Sequence, residues 1–307
     1  MVYRKIIFLI ILGIRPPIEG IYFLGSISKF SYYLYIVTPH IITMDLQLAS
    51  NLKRDQVQCV NSEIPISTPW GTLYTLHLLS TRYGFLHVPK CVSEGSNLVL
   101  IYHGSRDIAF HYLKCCDTLI SALSERGYII FFGQASGTIF EEPITHPKYQ
   151  DIYYGDLYWG IRKSQNMEAE FEYTREAISS VRSSYNINHI FFIGHSNGGV
   201  FSLLLPIYMP EIFTAIVSHQ GGLGYDAGFY IDFEAIPSSL PKPSILFYTS
   251  NVDVHHEACI GGYNLFKNMD FECELVVANE EPHGIISKES QDYMCDYIFK
   301  KVIQSTN

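Results

Sequence analysis

The sequence predicts an α/β fold, a mostly parallel central sheet covered by helices on both faces. Three observations predict it. First, short runs of apolar residues recur without a polar alternation: Leu98 to Tyr102, Tyr128 to Phe132, Ile190 to Ile193, Ala215 to Ser218, Ser244 to Tyr248 and Glu274 to Ala278. A strand buried on both faces reads this way, whereas a half-exposed strand alternates. Second, helical stretches separate these runs, and that order builds parallel βαβ units. Third, the runs end in small, polar or glycine-rich stretches, where an open parallel sheet places its ligand-binding loops.

Trp70 to Leu79 and Tyr83 to Val88 read as two strands around Ser80-Thr81-Arg82. Leu98 to Tyr102 follows and ends in His103-Gly104-Ser105. A helix is expected from about His111 to Glu125, with apolar spacing through Leu113, Leu119, Ile120 and Leu123. The segment 133–165 is a long polar and aromatic loop, a length that in a domain usually serves function. Met167 to Ser183 is the next helix, and the last runs from about Ser287 to Val302.

Length and composition bound the function. At 307 residues the chain holds one large domain, or one domain and an extension. A hydrophobic content of 48% supplies a core. A formal charge of −9 with only 21 Lys and Arg, and no basic run, argues against nucleic acid and against an anionic membrane surface. The seven cysteines include no C-x-x-C pair, so a zinc site has no support. Residues 1–69 read as an N-terminal extension and residues 70–307 as the main domain. Within the extension, a short basic start followed by Ile6 to Ile14 has the shape of a signal or anchor, but Arg15-Pro16-Pro17 follows directly and no A-x-A-like site appears, which leaves a buried strand as the alternative.

The chemistry centres on Gly194-His195-Ser196-Asn197-Gly198, which lies between the apolar run Ile190 to Ile193 and the helix-like run Val200 to Leu205. A G-x-S-x-G pattern set between strand and helix is the nucleophile elbow. Serine is a poor nucleophile at neutral pH. It needs a base within hydrogen-bond reach, and the base needs an orienting carboxylate. Asp253 and His283 each follow a later strand by a few residues, giving the order Ser, Asp, His found in α/β-hydrolase folds. Ser196, Asp253 and His283 are the expected catalytic residues. Asp226 and Asp232 are alternative acids that precede the required strand. His255 and His256 with Glu257 form a weak metal candidate, because adjacent ligands rarely converge on one ion. An oxyanion hole is expected from backbone N–H groups of Asn197 and Ser105, with Gly104 allowing close approach. Tyr158, Trp159 and His219 are expected to line the substrate pocket.

The stretches Arg82 to Pro89, Leu98 to Ser105, Tyr158-Trp159, Glu170-Phe171, Ile193 to Gly199, Thr249 to Asp253 and Pro282-His283-Gly284 resemble the polyhydroxyalkanoate depolymerase and feruloyl esterase-like α/β-hydrolases. The similarity covers about residues 70–300 and rests on short motifs, most of them shared with other α/β-hydrolases. It implies a cofactor-free serine esterase with Ser196, Asp253 and His283 on the family's triad positions. The chain departs from the family at Thr249-Ser250-Asn251, where a glycine is usual, and Tyr158-Trp159 lacks a neighbouring cysteine. No separate substrate-binding domain lies within the match, so a small-molecule or short ester is the expected substrate. A serine peptidase or thioesterase of the same fold shares these residues. A hydrolase-like binding protein would differ from them by triad side chains too far apart to hydrogen-bond.

Overall fold

The computed structural model describes residues 21–23, 34–36, 65–79, 82–105, 107, 109–135, 159–161, 167–223 and 241–305. Tyr158, Asp226, Asp232, residues 1–14 and most of the 133–165 loop lie outside the described residues. The chain divides into two compact units, residues 1–66 and 67–307. In the first, β1 (Ile21–Phe23) pairs antiparallel with β2 (Leu34–Ile36), Ile21 opposite Ile36.

The apolar runs form one nine-stranded sheet. Its strands are β3 (Ile66–Ser67), β4 (Gly71–Leu78), β5 (Arg82–Pro89), β6 (Ser96–Tyr102), β7 (Ile129–Gly133), β8 (Ile187–His195), β9 (Ala215–His219), β10 (Ser244–Ser250) and β11 (Cys273–Ala278). They lie in the order β11-β10-β9-β8-β6-β7-β5-β4-β3. The six strands from β11 to β7 run parallel. β5 is added antiparallel to β7, and β4 antiparallel to β5. The chain moves outward from β6 to β7 and then returns to place β8 on the other side of β6. That reversal makes the carboxyl ends of β6 and β8 the topological switch point, the usual ligand position of an open α/β sheet.

The continuous apolar pattern has the expected cause, burial on both faces. Leu98, Leu100 and Tyr102 of β6, Phe131 of β7, Phe192 of β8 and Phe247 of β10 pack into one core. That core includes Phe171 and Ile178 of α3 (Met167–Ser184), Phe201 of α4 (Asn197–Ser202) and Phe266 of α6 (His256–Asn268). Val99, Ile101, Ile130, Phe132, Phe191 and Ile193, the alternate residues, are equally buried. On their side lie α2 (Asp117–Glu125) and α7 (Lys288–Ser305), which pack on one another and on the sheet. Between α4 and β9 a further short helix, α5, spans Leu205–Tyr208.

The single helix expected from His111 to Glu125 is two helices, α1 (Ala109–Cys115) and α2, broken at Cys116. The cause is an inserted side chain. Gln291 of α7 donates its Nε2 to the Cys115 carbonyl (2.9 Å) and accepts the Leu119 N–H at its Oε1 (3.0 Å). Those two backbone groups would otherwise bond to one another as the i and i+4 partners of a continuous helix.

Candidate active site

The site starts at the carboxyl end of β8. Ser196 has φ 51° and ψ −115°, a left-handed conformation that a non-glycine residue seldom holds. The turn is possible because its flanks are glycines. A Cβ on Gly194 would stand 2.0 Å from the Gly198 carbonyl oxygen, and one on Gly198 would stand 2.5 Å from the Tyr102 carbonyl oxygen. The Ser196 N–H is held by the His219 carbonyl of β9 (2.9 Å). The first bond of α4 runs from the Val200 N–H to the Ser196 carbonyl (2.9 Å), so the Asn197 N–H has no partner within its helix.

The three side chains expected to act together are joined by hydrogen bonds. Ser196 Oγ lies 2.9 Å from His283 Nε2. His283 Nδ1 lies 3.2 and 3.3 Å from the two carboxylate oxygens of Asp253. Each comes from the loop after a different strand: β8, β10 and β11. Burial would raise the Asp253 carboxyl. Hydrogen bonds from His283 and from the His255 N–H (2.6 Å) outweigh it and hold the group below its ordinary range. An ionised carboxylate only accepts, so His283 carries a proton on Nδ1, and Nε2 is the atom that faces the serine. The Asp253 side chain is fully buried, whereas that of His283 is 25% exposed.

Gly104 passes directly against the serine. A Cβ there would lie 3.1 Å from Ser196 Cβ. The neighbouring His103 is buried, and its tautomer is set by its partners. The Ala135 N–H donates to Nε2 (3.1 Å), so Nδ1 carries the proton and donates to the Gly104 carbonyl (2.7 Å). Burial lowers the pKa of this imidazole to about 4, and it is neutral at pH 7. The trans peptide then turns the Ser105 N–H away from the buried ring.

Two residues expected to line a pocket have other surroundings. Trp159 is fully buried. It stacks on Tyr102 with ring centroids 3.9 Å apart, donates its indole N–H to the His103 carbonyl (2.9 Å), and is gripped through its backbone by the Asn197 amide (2.6 and 3.3 Å). A ring packed this way supports the loop after β6 and offers no face to a ligand. His219 is 1% exposed and is correspondingly a buried partner, not a wall. Its Nδ1 lies 2.8 Å from His195 Nδ1, and its Nε2 lies 3.3 Å from Glu281 Oε1. The latter contact is close, but its angle falls short of a hydrogen bond. This buried His195–His219–Glu281 row lies beside the first, with the His195 ring stacked on His283 at 5.8 Å. Burial, then the neighbouring His219 and His283, push the His195 pKa well down. Sequence reasoning did not pair these residues, nor assign Gln220 a role, although the stretches that contain them stand at strand ends.

No protein-family model matches the chain. The chain is similar to an uncharacterized hydrolase, R843, of Acanthamoeba polyphaga mimivirus. The two are 25% identical over 243 residues, 72% of this chain and 76% of that protein. Among solved structures it resembles an S-formylglutathione hydrolase from Agrobacterium tumefaciens, with a TM-score of 0.56 at 13% identity over 78% of this chain and 97% of the other. A point variant of SOBER1 from Arabidopsis thaliana gives a TM-score of 0.55 at 17% identity, over 68% of this chain and all of the other. Strand order, the strand–serine–helix turn at Ser196 and these likenesses together identify the chain as a protein of the α/β-hydrolase fold.

Proposed function

We propose that the protein is a serine hydrolase that cleaves a carboxylic ester through an acyl-enzyme on Ser196. The observation that carries this reading is the continuous path from Ser196 Oγ through His283 to Asp253, with contacts of 2.9 and 3.2 Å. Side chains from three strand ends, distant in sequence, meet in the geometry that activates a hydroxyl. The same distances count against a binding protein that has lost turnover. The resemblance to a hydrolase and to structures named as hydrolases supports the reaction class.

In this mechanism Ser196 Oγ attacks the ester carbonyl carbon while His283 Nε2 takes the hydroxyl proton. Asp253 holds the ring in the required tautomer and stabilises the imidazolium. The carbonyl oxygen becomes an oxyanion, stabilised by the N–H groups of Asn197 and Ser105. The carbon–oxygen bond to the alcohol breaks, and His283 returns the proton to the departing alkoxide. Water then adds to the acyl-enzyme, giving its proton to His283, and the acid leaves as Ser196 recovers its own.

The test is labelling with a fluorophosphonate probe, beside Ser196→Ala and His283→Ala. Labelling of the wild type that disappears in both variants is expected, followed by turnover of a short p-nitrophenyl ester. A folded wild type that takes no label would overturn the reading.

A further inference from the structure

The loop that carries His283 is held by a residue of another strand. Gln220 follows β9, is fully buried, and has φ 51°. Its backbone N–H donates to the Tyr248 carbonyl (2.7 Å). Its side-chain amide reaches the β11 loop and makes two bonds there. Nε2 donates to the Pro282 carbonyl (3.1 Å), and Oε1 accepts the Gly284 N–H (2.9 Å). The two bonds bracket one residue, His283.

Two features set this apart from ordinary loop packing. A φ of this kind suits glycine, and a side chain there is held against backbone strain. The chain nonetheless keeps a long side chain at this position and directs its polar end onto the loop of the base. The chemistry also demands an amide. A carbonyl oxygen can only accept and an N–H can only donate, so the clamp must offer one of each at a fixed separation. Glutamate can serve the Gly284 N–H but repels the Pro282 carbonyl, and methionine serves neither.

We infer that Gln220 is a positioning residue for His283, one that fixes the base against Ser196 by gripping the backbone on both sides of it. This rests on the reading of His283 as the general base. The clamp touches neither the substrate nor the reacting atoms. Its loss therefore lowers the rate of chemistry and leaves substrate binding alone.

The experiment compares the full chain with Gln220→Met, Gln220→Gly and Gln220→Glu. The readouts are the rate of fluorophosphonate labelling, kcat and KM for p-nitrophenyl acetate, the thermal midpoint, and hydrogen exchange at the Gly284 amide. In the Met and Gly variants the labelling rate and kcat are expected to fall about 10- to 100-fold, the scale of a misplaced catalytic group. KM should stay near that of the wild type, the thermal midpoint should fall by no more than a few degrees, the cost of two lost buried hydrogen bonds, and the Gly284 amide should exchange faster. Gln220→Glu should fall between, since it keeps one bond. Wild-type labelling and kcat in well-folded Met and Gly variants would overturn the inference. So would a change confined to KM, or a rate loss matched by loss of the fold in both. A wild type that takes no label would instead remove the role of His283 as base. In that case unchanged Gly284 exchange in Gln220→Met would overturn the clamp itself.

Discussion

Two rows of side chains lie side by side at the carboxyl ends of the sheet, built from similar parts. In one, Asp253 meets His283, which meets Ser196. In the other, Glu281 meets His219, which meets His195. Each places a carboxylate at one end and a histidine in the middle. They differ in their opening to solvent. The first ends at a half-buried serine and a histidine 25% exposed. All three residues of the second are nearly closed off, at 6, 1 and 6% exposure. Residue type alone does not make an acid–base site. A histidine that exchanges protons with a substrate must reach it, and one closed off among other side chains cannot.

Removing the open row should have the largest effect. Ser196→Ala or His283→Ala is expected to lower ester turnover by at least ~10⁴-fold with little change in stability, measured as kcat beside a urea unfolding curve. Next comes the support beneath it. Trp159→Ala should destabilise the fold by about 3–5 kcal/mol, the usual cost of emptying a buried aromatic position. If Trp159 instead bound substrate, the change would appear in KM at unaltered stability. Acid should then act on two buried histidines outside both rows, His87 of β5 and His103 after β6. His87 and His103 have folded-state pKa values lowered by burial to about 4. A group of this kind takes up protons in the unfolded chain first, so stability falls as pH drops from about 6.5 towards 4. The loss is on the order of 3 kcal/mol per histidine over that range. Urea midpoints at pH 7, 5.5 and 4.5 check it, and His103→Gln should flatten the dependence. The smallest effect is expected in the sealed row. His219→Gln should cost about 1–3 kcal/mol by disturbing its contacts with His195 and Glu281, while the labelling rate per folded molecule stays within a few-fold. A collapse of labelling in folded His219→Gln would break the contrast between the rows.

The parts legible in the sequence were those written in short stretches. Ile190 to Ile193 announces a buried strand, Gly194 to Gly198 announces the turn, and the order Ser196, Asp253, His283 follows from strand-end placement. What escaped depends on pairs far apart in the chain. Gln220 gains meaning only when Pro282 and Gly284 arrive beside it. Trp159 reads as a loop aromatic until Tyr102, His103 and Asn197 enclose it. The apolar spacing from Leu113 to Leu123 suits an unbroken helix, and nothing local contradicts it. The break at Cys116 is imposed by a glutamine from the last helix.

That glutamine sets an order of events. While the chain is being made, the segment 109–125 exists long before residue 291. With no amide to intervene, the Cys115 carbonyl and the Leu119 N–H are free to meet one another, and the segment can form as one helix. Local bonds close in well under a millisecond, whereas the partner that separates them stands 172 residues further along the chain than Leu119. In the folded protein the bond these two groups could make with one another is replaced by two bonds to the side chain of Gln291. The shape of this face is set by a side chain far along the chain rather than by the segment's own sequence.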